Sequence, residues 1–197
     1  MIKRLIILFL VLAARTSVPA QMTTLPAPTA PRASQATLPS PEVFVNAVAR
    51  TVVDSSFANY YLVAGADTCR FVRYDYDEWA KYHLLEPVPI SILNELAEKV
   101  YLSRYPYFWK IDSLKKAICI TRRQADSILF HNPPSGNGPG GHPVFSFSLP
   151  QFTDDGKYAV IDLNMVCGPR CGLGSTYIFH HTAAGWKMIG AYRNWSA

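Results

Sequence analysis

The sequence predicts an α+β domain in which a helical N-terminal half packs on a C-terminal antiparallel four-stranded meander. In several segments between residues 41 and 129, apolar residues recur every three or four positions, which is the spacing of one face of a helix. After residue 144 they recur at every second position, as in a strand with one buried face. Residues 132–143, with four glycines and four prolines, separate the two patterns. Helices followed by strands are typical of α+β domains.

Two strong helix patterns lie in the N-terminal half. Ser40-Pro41-Glu42 predicts a helix start, with Ser as N-cap, Pro at the first helical position and an acid in the first turn. This helix is expected to reach about Ser55. A second helix is expected after Pro89, with Ser91 as its N-cap and Leu96 on its apolar face.

The segments next to these helices are shorter and less regular. Residues 60–63 fit either a short strand or a continuation of the first helix. A short helix is expected after Asp112 and uses Ala117 and Ile118 for its buried side, and Thr121-x-x-Gln124 predicts a capping box that opens another. Four basic residues on these two helices are interpreted as an exposed basic face: Lys115, Lys116, Arg122 and Arg123.

The C-terminal half predicts four consecutive strands joined by short links. They are expected at residues 145–149, 158–165, 176–182 and 186–195. Asp154-Asp155-Gly156-Lys157 predicts the turn between the first two, because Asp and Gly favour tight turns.

The N-terminus has the three parts of a secretory signal peptide. Lys3 and Arg4 form the positive start, residues 5–14 form an apolar run, and Val18-Pro19-Ala20 supplies the small residues of a cleavage site. Crossing a membrane takes about 20 apolar residues, so this run is too short to be an anchor. We therefore expect an extracytoplasmic protein, periplasmic or secreted, with no membrane span after cleavage of residues 1–20.

The predicted mature chain begins with a tether and continues as one domain. Residues 21–40 are rich in Pro, Thr and Ala and predict a flexible segment, and residues 41–197 are expected to form a single α+β domain. The whole chain has 19 basic and 14 acidic residues, and the removed segment takes Lys3, Arg4 and Arg15 with no acid, which leaves a net charge of +2. This balance does not predict a nucleic-acid partner. A partner in the cell envelope or outside the cell is expected instead.

The chain contains four cysteines, and an even number in an exported protein predicts disulfide bonds. We predict Cys167–Cys171, which would close a link between two strands, and Cys69–Cys119. A redox role for Cys167 and Cys171 is the alternative, although their hairpin setting lacks the helix N-terminus that activates a thiol. No metal or cofactor is expected, since adjacent residues on a strand, such as His180 and His181, point to opposite faces.

Polar residues mark one face of the second predicted strand. Tyr158, Asp162 and Asn164 lie opposite its apolar side, which predicts either a solvated sheet face or, if the sheet curls, a ligand pocket. The pocket would be completed by His180 or His181 and by Tyr192.

Several short motifs lie along the C-terminal third. They are Asp155-Gly156-Lys157, Cys167-Gly168, Cys171-Gly172-x-Gly174, Gly185-Trp186-Lys187 and Trp195-Ser196. In these motifs the chain resembles a group of uncharacterised exported bacterial proteins, over roughly residues 145–197. The strand pattern also looks like the curved sheet of nuclear-transport-factor-like domains, a likeness of fold that implies no function.

These observations favour an exported, disulfide-stabilised binding or structural module. The alternative is a hydrolase-like enzyme with a sheet-lined pocket that uses Asp162 and one histidine of the 180–181 pair. A thiol oxidoreductase based on Cys167 and Cys171 is a third hypothesis.

Overall fold

A computed structural model describes residues 37–53, 59–71, 84–103, 106–131 and 143–197. The predicted signal peptide, all of the tether up to residue 36 and most of the glycine- and proline-rich segment 132–143 lie outside these residues. The helices are α1 (Pro41–Val52), α2 (Ile90–Leu102) and α3 (Arg122–Asp126), with a 3-10 turn at Ile111–Ser113 and a π-helical turn at Ser127–His131. The strands are β1 (Tyr60–Val63), β2 (Ala117–Ile120), β3 (Val144–Phe147), β4 (Gln151–Phe152), β5 (Tyr158–Gly168), β6 (Cys171–Thr182) and β7 (Gly185–Ser196).

The predicted helix starts are largely confirmed. Ser40 caps α1 by accepting a hydrogen bond from the Val43 backbone N at 3.3 Å. The capping box of Thr121 and Gln124 opens α3, with both of its reciprocal hydrogen bonds formed. α2 begins directly after Pro89 rather than being capped by Ser91. Local capping chemistry therefore fixes two of the three starts.

The predicted division into a helical half and a four-stranded meander is wrong. The strands form one seven-stranded mixed sheet in the order β2-β1-β3-β5-β6-β7, with β4 paired to β5. β1 and β2 come from the half predicted to be helical, and β1 pairs in parallel with both β2 and β3. The short helix expected after Asp112 is in fact a 3-10 turn followed by β2. Apolar runs of four residues carry too little periodicity to separate a buried strand from a helix.

Helices cover both faces of this sheet. α1 packs on one face, where Phe44 and Val48 join a core that includes Phe147, Ile161 and Phe179. On the opposite face α2 packs on Val160, Ile178 and Ile189, and α3 packs beside it on Ile120 and Val144. The solvated-face interpretation is wrong for Asp162, which is 1% exposed and accepts a hydrogen bond from the Arg70 backbone N, whereas Tyr158 and Asn164 are half-buried.

One of the two predicted disulfides is present. Cys167 and Cys171 are bonded across the β5–β6 hairpin, with their Cα atoms 5.1 Å apart. The predicted Cys69–Cys119 bond is not formed, and both thiols are free. The reason is geometric: Cys119 packs with the α1-side core, whereas Cys69 packs with the α2-side core on the other face of the sheet. Among the described residues, none of the helices has the length and apolar character needed to span a membrane.

Candidate functional site

Polar side chains collect on the sheet face that α2 and α3 cover. The register pairs Ser146 with Asn164 and Asp162 with Thr176, so alternation along β3, β5 and β6 points these side chains to one face. The chain after β1 continues beside β3, where Asp67 forms a parallel bridge with Ser148 and its backbone N donates to the Phe147 carbonyl at 2.8 Å. We call the resulting set the polar cluster: Asp67, Cys69, Ser146, Ser148, Asp162, Asn164 and Thr176.

Asp162 lies at the buried centre of the polar cluster and is 1% exposed. Its Oδ1 accepts hydrogen bonds from Thr176 Oγ1 at 2.5 Å and Cys69 Sγ at 3.5 Å, and its Oδ2 accepts one from the Arg70 backbone N at 2.6 Å. Burial raises the pKa of this carboxyl and outweighs the hydrogen bonds, which lower it. Asp162 therefore fastens the segment after β1 to the sheet.

Cys69 is a hydrogen-bond donor in this arrangement. Burial raises the pKa of its thiol well above the usual range, and the neighbouring Asp162 charge raises it further. Reactive cysteines have the opposite character, because a thiolate needs a lowered pKa. The geometry at Cys69 therefore favours a structural thiol over a nucleophile.

Asp67 is the second carboxylate of the polar cluster and lies nearer the surface. Its Oδ2 accepts hydrogen bonds from Ser146 Oγ and, at 3.1 Å, from Asn164 Nδ2. Its Oδ1 pairs with Arg122 Nη2 at 3.1 Å, and the side chains of Asp67 and Arg122 are 23% and 76% exposed. A carboxylate oxygen can accept two hydrogen bonds, so within the described residues Oδ1 has room for one more.

The glycines of the Cys171-Gly172-x-Gly174 motif make room for Trp195. A Cβ on Gly174 would lie 2.0 Å from Trp195 Nε1, and one on Gly172 would lie 2.8 Å from Trp195 Cη2. The indole can therefore lie against β6 only because both residues are glycine. Its Nε1 donates to Asn164 Oδ1 at 3.0 Å, and Asn164 in turn holds Asp67. The motif thus contributes to the orientation of the Asp67 carboxylate.

A cavity of about 270 Å³ opens beside Asp67. It lies between the segment after β1, the C-terminal end of α2 and the chain around β4; its lining is Ala66, Asp67, Thr68, Cys69, Val100, Ser103, Pro106, Leu149 and Gln151. Gln151 Nε2 donates to Ser103 Oγ at 2.9 Å and to the Leu149 carbonyl at 3.2 Å. Because Ser103 Oγ accepts this hydrogen bond, its own proton can be donated to another acceptor, and the Gln151 amide oxygen can accept from another donor. The cavity therefore combines hydrogen-bonding groups with an apolar wall.

The structure separates the residues of the predicted pocket. Asp162 and Asn164 belong to the polar cluster, and Tyr192 lies on the same face because it pairs with Thr176. Tyr158 and His180 also share this face, but their rings stack on each other at 4.6 Å, four residues further along the strands. His181 lies on the opposite face, where it contacts Trp186 of the α1-side core. The arrangement thus does not bring either histidine to Asp162.

Sequence reasoning missed Asp67, the carboxylate in the lining of the cavity. Asp67 follows a four-residue strand that the sequence left ambiguous, and its partners Ser146, Asn164 and Arg122 are remote in the chain. The useful signal was a carboxylate in the segment that follows a strand, four residues after Val63, since loops that leave a sheet often carry binding residues. That signal could be used only once residues 60–63 were known to be a strand.

Comparison with known proteins gave no relative for this chain. No protein-family model matches it, and no curated protein or solved structure is significantly similar to it. The resemblance to exported bacterial proteins therefore stays a prediction, and the function has to be argued from the site.

Proposed function

We propose that this protein is an exported binding module that takes a small, neutral, hydrogen-bonding molecule of the size of a monosaccharide or polyol. The cavity beside Asp67 is the observation that carries the proposal. It is large enough, at about 270 Å³, for a compact ligand, and it combines acceptors and donors with an apolar wall. Small-molecule sites in proteins are usually larger and more apolar, so this cavity suits a small ligand that is rich in hydrogen-bonding groups.

The charges around the cavity favour a neutral ligand. Asp67 is already paired with Arg122, so a cationic ligand would have to compete with that guanidinium. The remaining acceptor position of Asp67 Oδ1, the Ser103 hydroxyl and the Gln151 amide oxygen suit a molecule with several hydroxyl groups. The hydrolase alternative has less support, because Asp162 is enclosed by donors and His181 lies on the other face of the sheet.

Export is the second part of the proposal and rests on the sequence of residues 1–20. Expression of the full chain in a bacterial host, followed by intact-mass measurement of the extracytoplasmic fraction, tests it. A mature chain that begins at Gln21 and carries one disulfide supports export. Retention of the full-length chain in the cytoplasm overturns it.

Ligand binding is tested by isothermal titration of the mature protein with a panel of monosaccharides and linear polyols. The variants are Ser103→Ala and Gln151→Ala, and the matched control is Ser91→Ala, an exposed hydroxyl on the same helix. We expect one class of the panel to bind and each cavity variant to weaken it about fivefold to tenfold, as loss of one hydrogen bond does. Absence of binding across the panel, or equal affinity in the cavity and control variants, overturns the proposal.

A further inference from the structure

We propose that the open edge of β2 is a docking site for an extended acidic peptide, which would bind by adding a strand to the sheet. β2 ends the strand order, and among the described residues its only partner strand is β1. An edge strand exposes unused backbone donors and acceptors, which can pair with another chain. This inference is independent of the cavity beside Asp67.

The register shows which backbone groups of β2 face outward. The Tyr60 backbone N donates to the Lys116 carbonyl at 3.1 Å, and the Ala64 N donates to the Ile120 carbonyl at 2.8 Å. Because alternate residues of a strand direct their backbone groups to the same side, residues 116, 118 and 120 bond to β1. The N–H and C=O groups of Ala117 and Cys119 therefore point to the open edge.

The charges around this edge favour an acidic partner. Lys115 and Lys116 precede β2 and Arg123 follows it, all three are exposed, and no carboxylate within the described residues forms a salt bridge with them. If the β2 edges of two copies of the chain paired antiparallel, the cations of one copy would lie close to those of the other and repel them. An extended segment with carboxylates at both ends complements them instead.

The side chains of β2 add an apolar contact at its centre. Ile118 is 46% exposed, although it lies in the middle of the strand. Partner strands alternate their side chains, so a residue opposite Ile118 would cover it. The partner is therefore an extended segment with a β-branched residue at its centre and Asp or Glu at each end.

The backbone groups and the cations make separate contributions that can be measured separately. The probe is the fluorescein-labelled peptide Glu-Glu-Val-Thr-Val-Glu-Glu, and fluorescence anisotropy with the mature protein reports its binding. A second peptide has the same side chains but N-methyl groups on alternate amides, which removes the ladder hydrogen bonds. We expect the first peptide to bind and the second to bind at least about tenfold more weakly. Equal binding of the two peptides overturns strand addition.

Charge reversal tests the cations with a matched control. We expect Lys115→Glu combined with Arg123→Glu to weaken the probe about tenfold, and Arg170→Glu combined with Arg193→Glu, at exposed sites elsewhere, to change it less than about twofold. If the first pair leaves peptide affinity unchanged and instead makes the protein self-associate, the cations protect the edge from pairing and the proposal is overturned. Binding of anionic lipid vesicles or of an oligonucleotide in place of the peptide overturns it as well.

Discussion

Two buried carboxyl groups in this domain have pKa values that are shifted in opposite directions, although burial raises both. Burial raises the pKa of Asp162 and prevails there over three hydrogen-bond donors. Burial also acts on Glu42, but hydrogen bonds from Tyr107 Oη at 2.6 Å and the Lys110 backbone N at 3.1 Å prevail and lower its pKa. The Lys110 charge also lowers the pKa of Glu42. Glu42 lies in the first turn of α1, where the helix dipole favours negative charge as well.

These directions give two opposite dependences of stability on pH. For Asp162 the folded state holds its proton more tightly than the unfolded state, so stability falls as pH rises from the ordinary value of 3.8 to the raised pKa. For Glu42 the stabilisation is present above the ordinary value of 4.5 and is lost as pH falls through the lowered pKa.

Asp162→Asn and Glu42→Gln should therefore change opposite limbs of the stability profile. In the native protein, the free energy of unfolding should fall by up to about 1.4 kcal/mol per pH unit as pH rises above the ordinary pKa of Asp162, and Asp162→Asn should abolish this fall. Glu42→Gln should abolish the fall in the free energy of unfolding that occurs as pH drops below the ordinary pKa of Glu42. Urea denaturation from about pH 3 to pH 8 measures both limbs. The exposed Asp154→Asn is the control, and identical profiles for all three variants would contradict the assignment.

At the scale of elements, the contact of β7 with β6 depends on residues without side chains. Gly174→Ala would place a Cβ against Trp195 and force the indole away from Asn164. We expect it to lower the free energy of unfolding by about 2 kcal/mol, as overpacking commonly does. Gly65→Ala is the matched control, because its Cβ would meet Phe108 at 3.7 Å, an ordinary contact, and it should cost less than about 1 kcal/mol.

A double-mutant cycle identifies the indole as the cause. In a Trp195→Ala background the added Cβ no longer meets the indole, and the remaining close contact is Asn164 Oδ1 at 2.5 Å. The Asn164 side chain has then lost its hydrogen bond to the indole and can move aside, so the cost of Gly174→Ala should fall below its value in the native background. Chemical denaturation of the four proteins gives the coupling energy. Strictly additive costs would show that Trp195 is not what requires glycine at this position.

The elements also show where sequence patterns carry enough information. α1 and α3 were predicted from capping residues, whose signal is local. β5 was predicted from alternation over eight residues, and β6 and β7 from the turns that bound them, although β6 begins five residues before its predicted start. β1 was left open between a strand and a helix, and β2 was missed, because each has four residues and is paired with strands far along the chain. The apolar pattern also could not show that α2 covers the polar face of β5. Asp162 and Asn164 lie on a strand that was predicted and were named as site residues, whereas Asp67 follows a segment whose structure was left open and was not named.

At the scale of the whole domain, the centre of the sheet is protected, and among the described residues the sheet ends at β2 on one side and at β7 on the other. β5 and β6 have strands on both sides and helix-covered faces, whereas β2 has four residues and is paired on one side among the described residues. Local opening costs least where buried contacts and paired neighbours are fewest. Amide hydrogen exchange should therefore be slowest in β5 and β6 and much faster in β2.

Within β2 the exchange rates should alternate from residue to residue. The amides of Ile118 and Ile120 face β1, whereas those of Ala117 and Cys119 face outward, so the first pair serves as an internal control for the second. NMR-detected exchange of the mature protein measures all four amides in one sample. We expect the outward pair to exchange faster, and the acidic peptide to slow that pair selectively. Equal rates in the free protein would mean that the outward amides of β2 already have a partner, and the sheet would then have no open edge here.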